Sequence, residues 1–128
     1  FVTENEIAKI IVDAAYKIHK QFGPGLLKSA YIALLAYELR QRGLQGVTEW
    51  PIPLMYEGVH LEVAYRADLL VEDKVIVELK SVEQVAAVHK KQLLTYLRLA
   101  DKRLGLLVNF GAPLIKDGIT RIVNGLKE

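Results

Sequence analysis

The sequence of 128 residues contains no cysteine. That excludes a disulfide framework, thiolate-bound zinc and a cysteine nucleophile. It also has almost no net charge: 17 Lys+Arg stand against 15 Asp+Glu, giving +2 with histidine neutral. Such a balance leaves no global attraction for nucleic acid, so any contact of that kind must come from a local patch. No apolar run approaches the ~18 residues a membrane span requires, and no membrane partner is expected. The start, Thr3-Glu4-Asn5-Glu6, is acidic and lacks the basic-then-apolar order of a signal peptide, which makes a cytoplasmic location the expectation. His19, His60 and His89 fall at no metal-ligand spacing, and Gly23-Pro24-Gly25 lacks the lysine of a phosphate loop.

What the chain does have is a surplus of apolar side chains. With glycine counted and tyrosine left out, 69 of 128 residues, about 54%, are apolar, against ~45–50% in ordinary domains. The length suits one domain with a sizeable core, and the surplus implies apolar surface with no place inside it.

Thr3-x-x-Glu6 reads as a capping box, and Ile7, Ile10, Ile11, Ala14, Ile18 and Phe22 follow at helical spacing. Gly23-Pro24-Gly25 ends that helix. A second runs from about Leu26 to Arg42, with Gly43 as its C-terminal cap and Leu27, Tyr31, Leu35 and Leu39 as its core stripe. Val47 to Tyr56 carries Pro51 and Pro53, which suits an edge strand or an irregular one. Glu57-Gly58 is a hairpin turn, after which Val59, Leu61, Val63 and Tyr65 alternate with His60, Glu62 and Ala64, the signature of a half-buried strand. A turn at Glu72-Asp73-Lys74 leads to a strand over Val75–Lys80, and a third helix spans about Val85 to Leu99. Leu104 to Phe110 has the continuous apolar pattern of a central strand, and Ile119 to Val123 forms a last one. The order ααβββαββ, with no repeat or linker, predicts one α+β domain over residues 1–128.

The chemistry concentrates at the end of a strand. Glu78 and Lys80 are two residues apart and point to one face of the sheet. If the preceding strand pairs back through the turn near Asp73, Asp68 lies close to Glu78. Two carboxylates and a lysine then converge. A hard dication such as Mg²⁺ takes carboxylate oxygens and water, and a lysine beside it can orient or help deprotonate that water. The alternative is an Asp–Lys–Glu ion-pair cluster on a solvated sheet face.

Asp68 followed by Glu78-Leu79-Lys80 resembles the PD-(D/E)XK nuclease signature, and the wider chain is similar to the bacterial GxxExxY family of that superfamily. The segments that carry the resemblance are Gly23-Pro24-Gly25-Leu26-Leu27 with Tyr31, Tyr37-Glu38-Leu39, Arg66-Ala67-Asp68-Leu69-Leu70-Val71-Glu72, Val77-Glu78-Leu79-Lys80, Gln92-Leu93-Leu94-Thr95-Tyr96-Leu97-Arg98 and Gly105-Leu106-Leu107-Val108-Asn109-Phe110. The resemblance implies an αβββαβ core with a central mixed sheet flanked by helices. It also implies Mg²⁺ held by Asp68 and Glu78, Lys80 beside the attacking water, Gln92 as a positioning group, and DNA as the partner.

Two departures from the family pattern bear on function. Lys28 occupies the place of the glutamate that names the family, which swings the charge beside the expected dication by two units. One unit-charge pair at ~5 Å and an effective dielectric of ~20 is worth about 3 kcal/mol. Impaired or absent catalysis is expected, with Lys28 either paired to Asp68 and Glu78 or directed into water. The second departure is Ala30 to Tyr37, a stretch without charge. Ile32, Ala33 and Ala36 are expected on the side of the helix opposite its core stripe, and Trp50 sits before Pro51 as an aromatic anchor. Together they predict an interface between copies of the chain, a homo-oligomer, with cover by a neighbouring strand of the same chain as the alternative. The combination fits a scaffold engineered for self-assembly, and natural degeneration as the alternative. A basic strip of His89, Lys90, Lys91, Arg98, Lys102 and Arg103 along the third helix could meet phosphates or simply face solvent.

Overall fold

The computed structural model describes residues 2–127. Helix α1 spans Glu4–Phe22 and α2 Lys28–Gln41; strands β1 (Gly46–Tyr56), β2 (Val59–Val71) and β3 (Val75–Lys80) follow. Helix α3 (Ala87–Ala100) then leads to β4 (Leu104–Asn109), a single 3-10 turn at Ile115–Gly118 and β5 (Ile119–Val123). The capping box forms as its spacing requires: Glu6 N–H donates to Thr3 Oγ1, and Glu6 Oε1 accepts from Thr3 N–H, both at 3.2 Å. Gly43, at φ 82°, supplies the left-handed residue that lets the chain leave α2.

The five strands form one sheet in the order β1-β2-β3-β4-β5. Among the described residues only β3 and β4 run parallel, because only they are joined by a helical crossover; the other pairs are antiparallel. The fold is therefore α+β with a mixed sheet. β3 and β4 are buried along almost their whole length, which is why both read as continuous apolar runs.

Two cores lie on the two faces of this sheet. One joins α1 and α2 to Leu69, Val71, Val75, Val77, Leu79, Leu104, Leu106 and Val108. The other joins Leu93, Tyr96 and Leu97 of α3 to Ile52, Ala67, Leu70, Ile76 and Leu107. Charged Glu78 and Lys80 fall on the α3 side by the same alternation that puts Val77 and Leu79 on the other. Among the described residues no helix is long and apolar enough to cross a membrane.

The structure revises the reading of α2. Tyr31, Leu35 and Leu39 are fully buried, but Leu27 is 77% exposed because it precedes the first helical turn. Ala36, expected on an outward face, is 3% exposed and belongs to the first core. Ile32 is half-buried against that core. Helix α2 packs on both α1 and the sheet, so two of its faces are covered within the chain and its lack of charge is spent there. Of the residues expected to form an outer patch on this helix, only Ala33 is exposed. Trp50 is half-buried against the second core, with the Lys102 ammonium 5.8 Å from its ring centroid.

Candidate functional site where two strands part

The ladder between β2 and β3 is short: Val71 pairs with Val75, Leu70 with Ile76 and Leu69 with Val77, and pairing stops there. The tight turn places it, with Glu72 and Asp73 both at positive φ and Lys74 N–H donating to Val71 O at 3.0 Å. Where the next backbone pair would be, side chains take over. Asp68 N–H donates to Glu78 Oε1, and Leu79 N–H donates to Asp68 Oδ2, each at 2.8 Å. Each carboxylate thus satisfies a backbone amide of the opposite strand. Buried N–H groups must find an acceptor, so the exchange both ends the ladder and fixes the two carboxylates.

Asp68 is 6% exposed and Glu78 8%. Charge compensation comes from α2. Lys28 Nζ lies 3.0 Å from Asp68 Oδ2, its side chain 40% exposed. Its position is set by the loop before α2. Tyr31, stacked on Phe110 at 4.2 Å, donates its hydroxyl to Gly23 O at 2.6 Å and accepts from Leu26 N–H at 3.1 Å. Ser81 Oγ, just past β3, donates to Leu26 O at 3.2 Å and ties this loop to the strand end.

Electrostatics follow from burial. Glu78 is pushed from its usual 4.5 up to about 7, first by loss of solvent and then by the neighbouring Asp68 charge. The Asp68 N–H and Lys28 oppose that rise without cancelling it. Tyr96, buried against the same carboxylates from the α3 side, is pushed up to about 12, by desolvation first and then by Glu78, Asp68 and Tyr65. It remains a neutral hydroxyl, its ring 5.0 Å from that of Tyr65.

The other expected residues are less closely joined. Lys80 is half-buried and pairs with no carboxylate among the described residues; it lines, with Lys28, Leu26 and Ser81, an open cleft of about 490 Å³. Gln92 is exposed on α3, with no hydrogen-bond partner among the described residues. The basic strip is partly neutralised, since Lys102 pairs with Asp73 at 2.9 Å and Arg103 with Asp101. Sequence reasoning passed over Asn109, whose side chain closes the far end of β3. Its amide donates to Val82 O at 2.8 Å, and its carbonyl oxygen accepts from Val82 and Gly111 N–H at 3.0 Å. An asparagine ending an otherwise apolar buried strand was the available signal.

The donor set can be tested for a divalent cation directly. Mg²⁺ is held by charged oxygens and water in near-octahedral geometry. Here two carboxylates offer oxygens, and among the described residues no group of three His, Cys, Asp or Glu could hold a metal. One of the two carboxylates is already paired with an ammonium at 3.0 Å, which would stand against a dication at the same oxygen. These residues do not fit a dication. Residues 5–122 match the family model described as PD-(D/E)XK nuclease superfamily. No curated protein and no solved structure matches the chain.

Proposed function

The chain belongs to the PD-(D/E)XK nuclease superfamily, and on that premise we propose that it is a catalytically silent descendant of a Mg²⁺-dependent DNA hydrolase. Lys28 stands for the family's glutamate in the GxxExxY-like pattern. The observation that carries the reading is its ammonium 3.0 Å from Asp68 Oδ2, where a third acid would serve a cation.

An ammonium differs from a dication in two ways that matter for phosphodiester hydrolysis. It brings one charge instead of two, and it cannot coordinate a water and lower its pKa as a metal does. Lys80 then has no metal-bound water to act on, and exposed Gln92 has nothing to position. What the site retains is charge: Lys28 and Lys80 on one cleft suit a phosphate contact without cleavage. With a net charge of +2 and a partly paired basic strip, that contact is weak.

The test is plasmid DNA incubated with the protein and Mg²⁺, beside the Asp68→Ala variant. We expect two identical traces without cleavage. Cleavage by the parent chain that Asp68→Ala abolishes would refute the silent-site reading.

A second reading, self-association, is favoured by one specific observation: large apolar side chains from Met55 to Val63 stand in solvent. A chain without catalysis that associates with itself acts as a scaffold.

A further inference from the structure

Helix α1 packs against the 3-10 turn that precedes β5, and an open cavity of about 260 Å³ lies between them. Tyr16, His19 and Lys20, one face of the helix at i, i+3 and i+4, line one wall; Leu114, Ile115 and Lys116 line the other. None of these residues belongs to the strand-end site. Both walls are fixed in place. Ile115 is buried in the first core, and Gly118 closes the turn so near β4 that a Cβ there would collide with Asn109 O.

His19 is the buried polar group of this cavity, 8% exposed, with its Nε2 2.9 Å from Ala112 O. A carbonyl oxygen only accepts, so Nε2 carries the proton and donates it. Nδ1 has no hydrogen-bond partner among the described residues. Yet none of their buried side-chain nitrogens or oxygens lacks one, so Nδ1 must be open to solvent. A buried imidazole thus keeps one nitrogen free at a cavity that it lines. Around it the wall is apolar: Tyr16 and Leu114 remain 44% and 56% exposed, and Ile115 lies beneath them. The rim is cationic. Lys20 and Lys116 are exposed, and neither forms an ion pair among the described residues. No lining residue is acidic; Asp117, next to Lys116, lines a different cleft with Glu83 and Lys90.

We propose that this cavity binds a small aromatic carboxylate that carries a hydroxyl at the end of its ring away from the acid. The carboxylate meets the two rim ammoniums, whose charge it complements. The ring lies between Tyr16, Leu114 and Ile115, where apolar surface leaves water. The hydroxyl reaches His19 Nδ1, and because it both donates and accepts it suits that nitrogen with or without a proton. The cavity is at the small end of ligand sites, which fits a molecule of about ten non-hydrogen atoms and a dissociation constant of about 1 mM.

The experiment follows the backbone amide shifts of the nitrogen-labelled chain during titration with para-hydroxybenzoate to about 10 mM, a range that saturates a millimolar site. Saturable shifts are expected at Tyr16, His19 and Lys20 and at Leu114, Ile115 and Lys116. The double variant Lys20→Gln with Lys116→Gln, both at exposed positions, should weaken binding about fivefold. Benzoate, which lacks the hydroxyl, should bind about fivefold more weakly to the parent chain. Absence of saturable shifts at these walls, or shifts centred on Lys28 and Lys80 instead, overturns the site. Equal binding of para-hydroxybenzamide overturns recognition of the carboxylate, and equal binding of benzoate overturns the contact with His19.

Discussion

Strand β2 passes through two environments, and its two ends resolve their physical demands differently. At the base, from Ala67 to Val71, every residue is buried, and Asp68 is held by an amide of β3 and an ammonium of α2. At the tip, from Val59 to Val63, every residue is exposed although three of the five are large and aliphatic. The base buries charge and supplies the compensation from within the chain. The tip displays apolar surface and supplies no cover. A site already satisfied has little left to bind a cation, whereas the tip leaves its apolar side chains to solvent.

The strongest way to break the comparison is at Lys28. Lys28→Glu leaves three acids together with no counter-charge, and should cost about 2–3 kcal/mol in urea denaturation without metal. Millimolar Mg²⁺ should restore much of that loss in the variant and do nothing for the parent chain. An undiminished urea midpoint without metal would mean that the ion pair is not what balances Asp68.

A smaller effect sharpens the account of Glu78. Its folded value of about 7 lies above its ordinary 4.5, so the folded state holds the proton more tightly. Stability from this group is fully present below about 4.5 and is lost as pH rises through about 7. Glu78→Gln keeps an oxygen for the Asp68 N–H and removes the charge. It should be more stable than the parent chain by about 3 kcal/mol at pH 8, with the difference shrinking toward zero at pH 4. An equal difference at both pH values contradicts this.

Tyr31→Phe should cost about 1 kcal/mol, because it removes the hydroxyl that holds Gly23 and Leu26 while leaving the stack on Phe110. The smallest effect belongs to the face first expected to associate. Ala33→Lys, on the exposed side of α2, should change stability by less than about 0.5 kcal/mol and leave the mass untouched.

Much of this was legible in the sequence, for reasons that also mark the limit. The element order is written in periodicity and punctuation, and counting back through the turn at Asp73 brings Asp68 beside Glu78, as the structure has it. Alternation in Val59–Tyr65 identified the apolar face of β2, yet periodicity tells which face is apolar and not whether anything covers it. The helical wheel of α2 had the same defect in reverse. It separated Ala36 from the core stripe, but α2 is wedged between α1 and the sheet, and Ala36 is buried. Tyr96 and Asn109 escaped notice because their importance lies in contacts with segments far away in sequence. Lys28 was readable as a departure from a pattern; only the geometry shows its ammonium meeting Asp68.

The central claim is that Lys28 takes the position and the charge role of a cation at Asp68. Calorimetric titration with Mg²⁺ up to about 10 mM, a range covering weak oxygen-ligand sites, tests it most directly. The account predicts no binding heat for the parent chain and a saturable site in Lys28→Glu. Saturable binding by the parent chain that Asp68→Ala removes would contradict it.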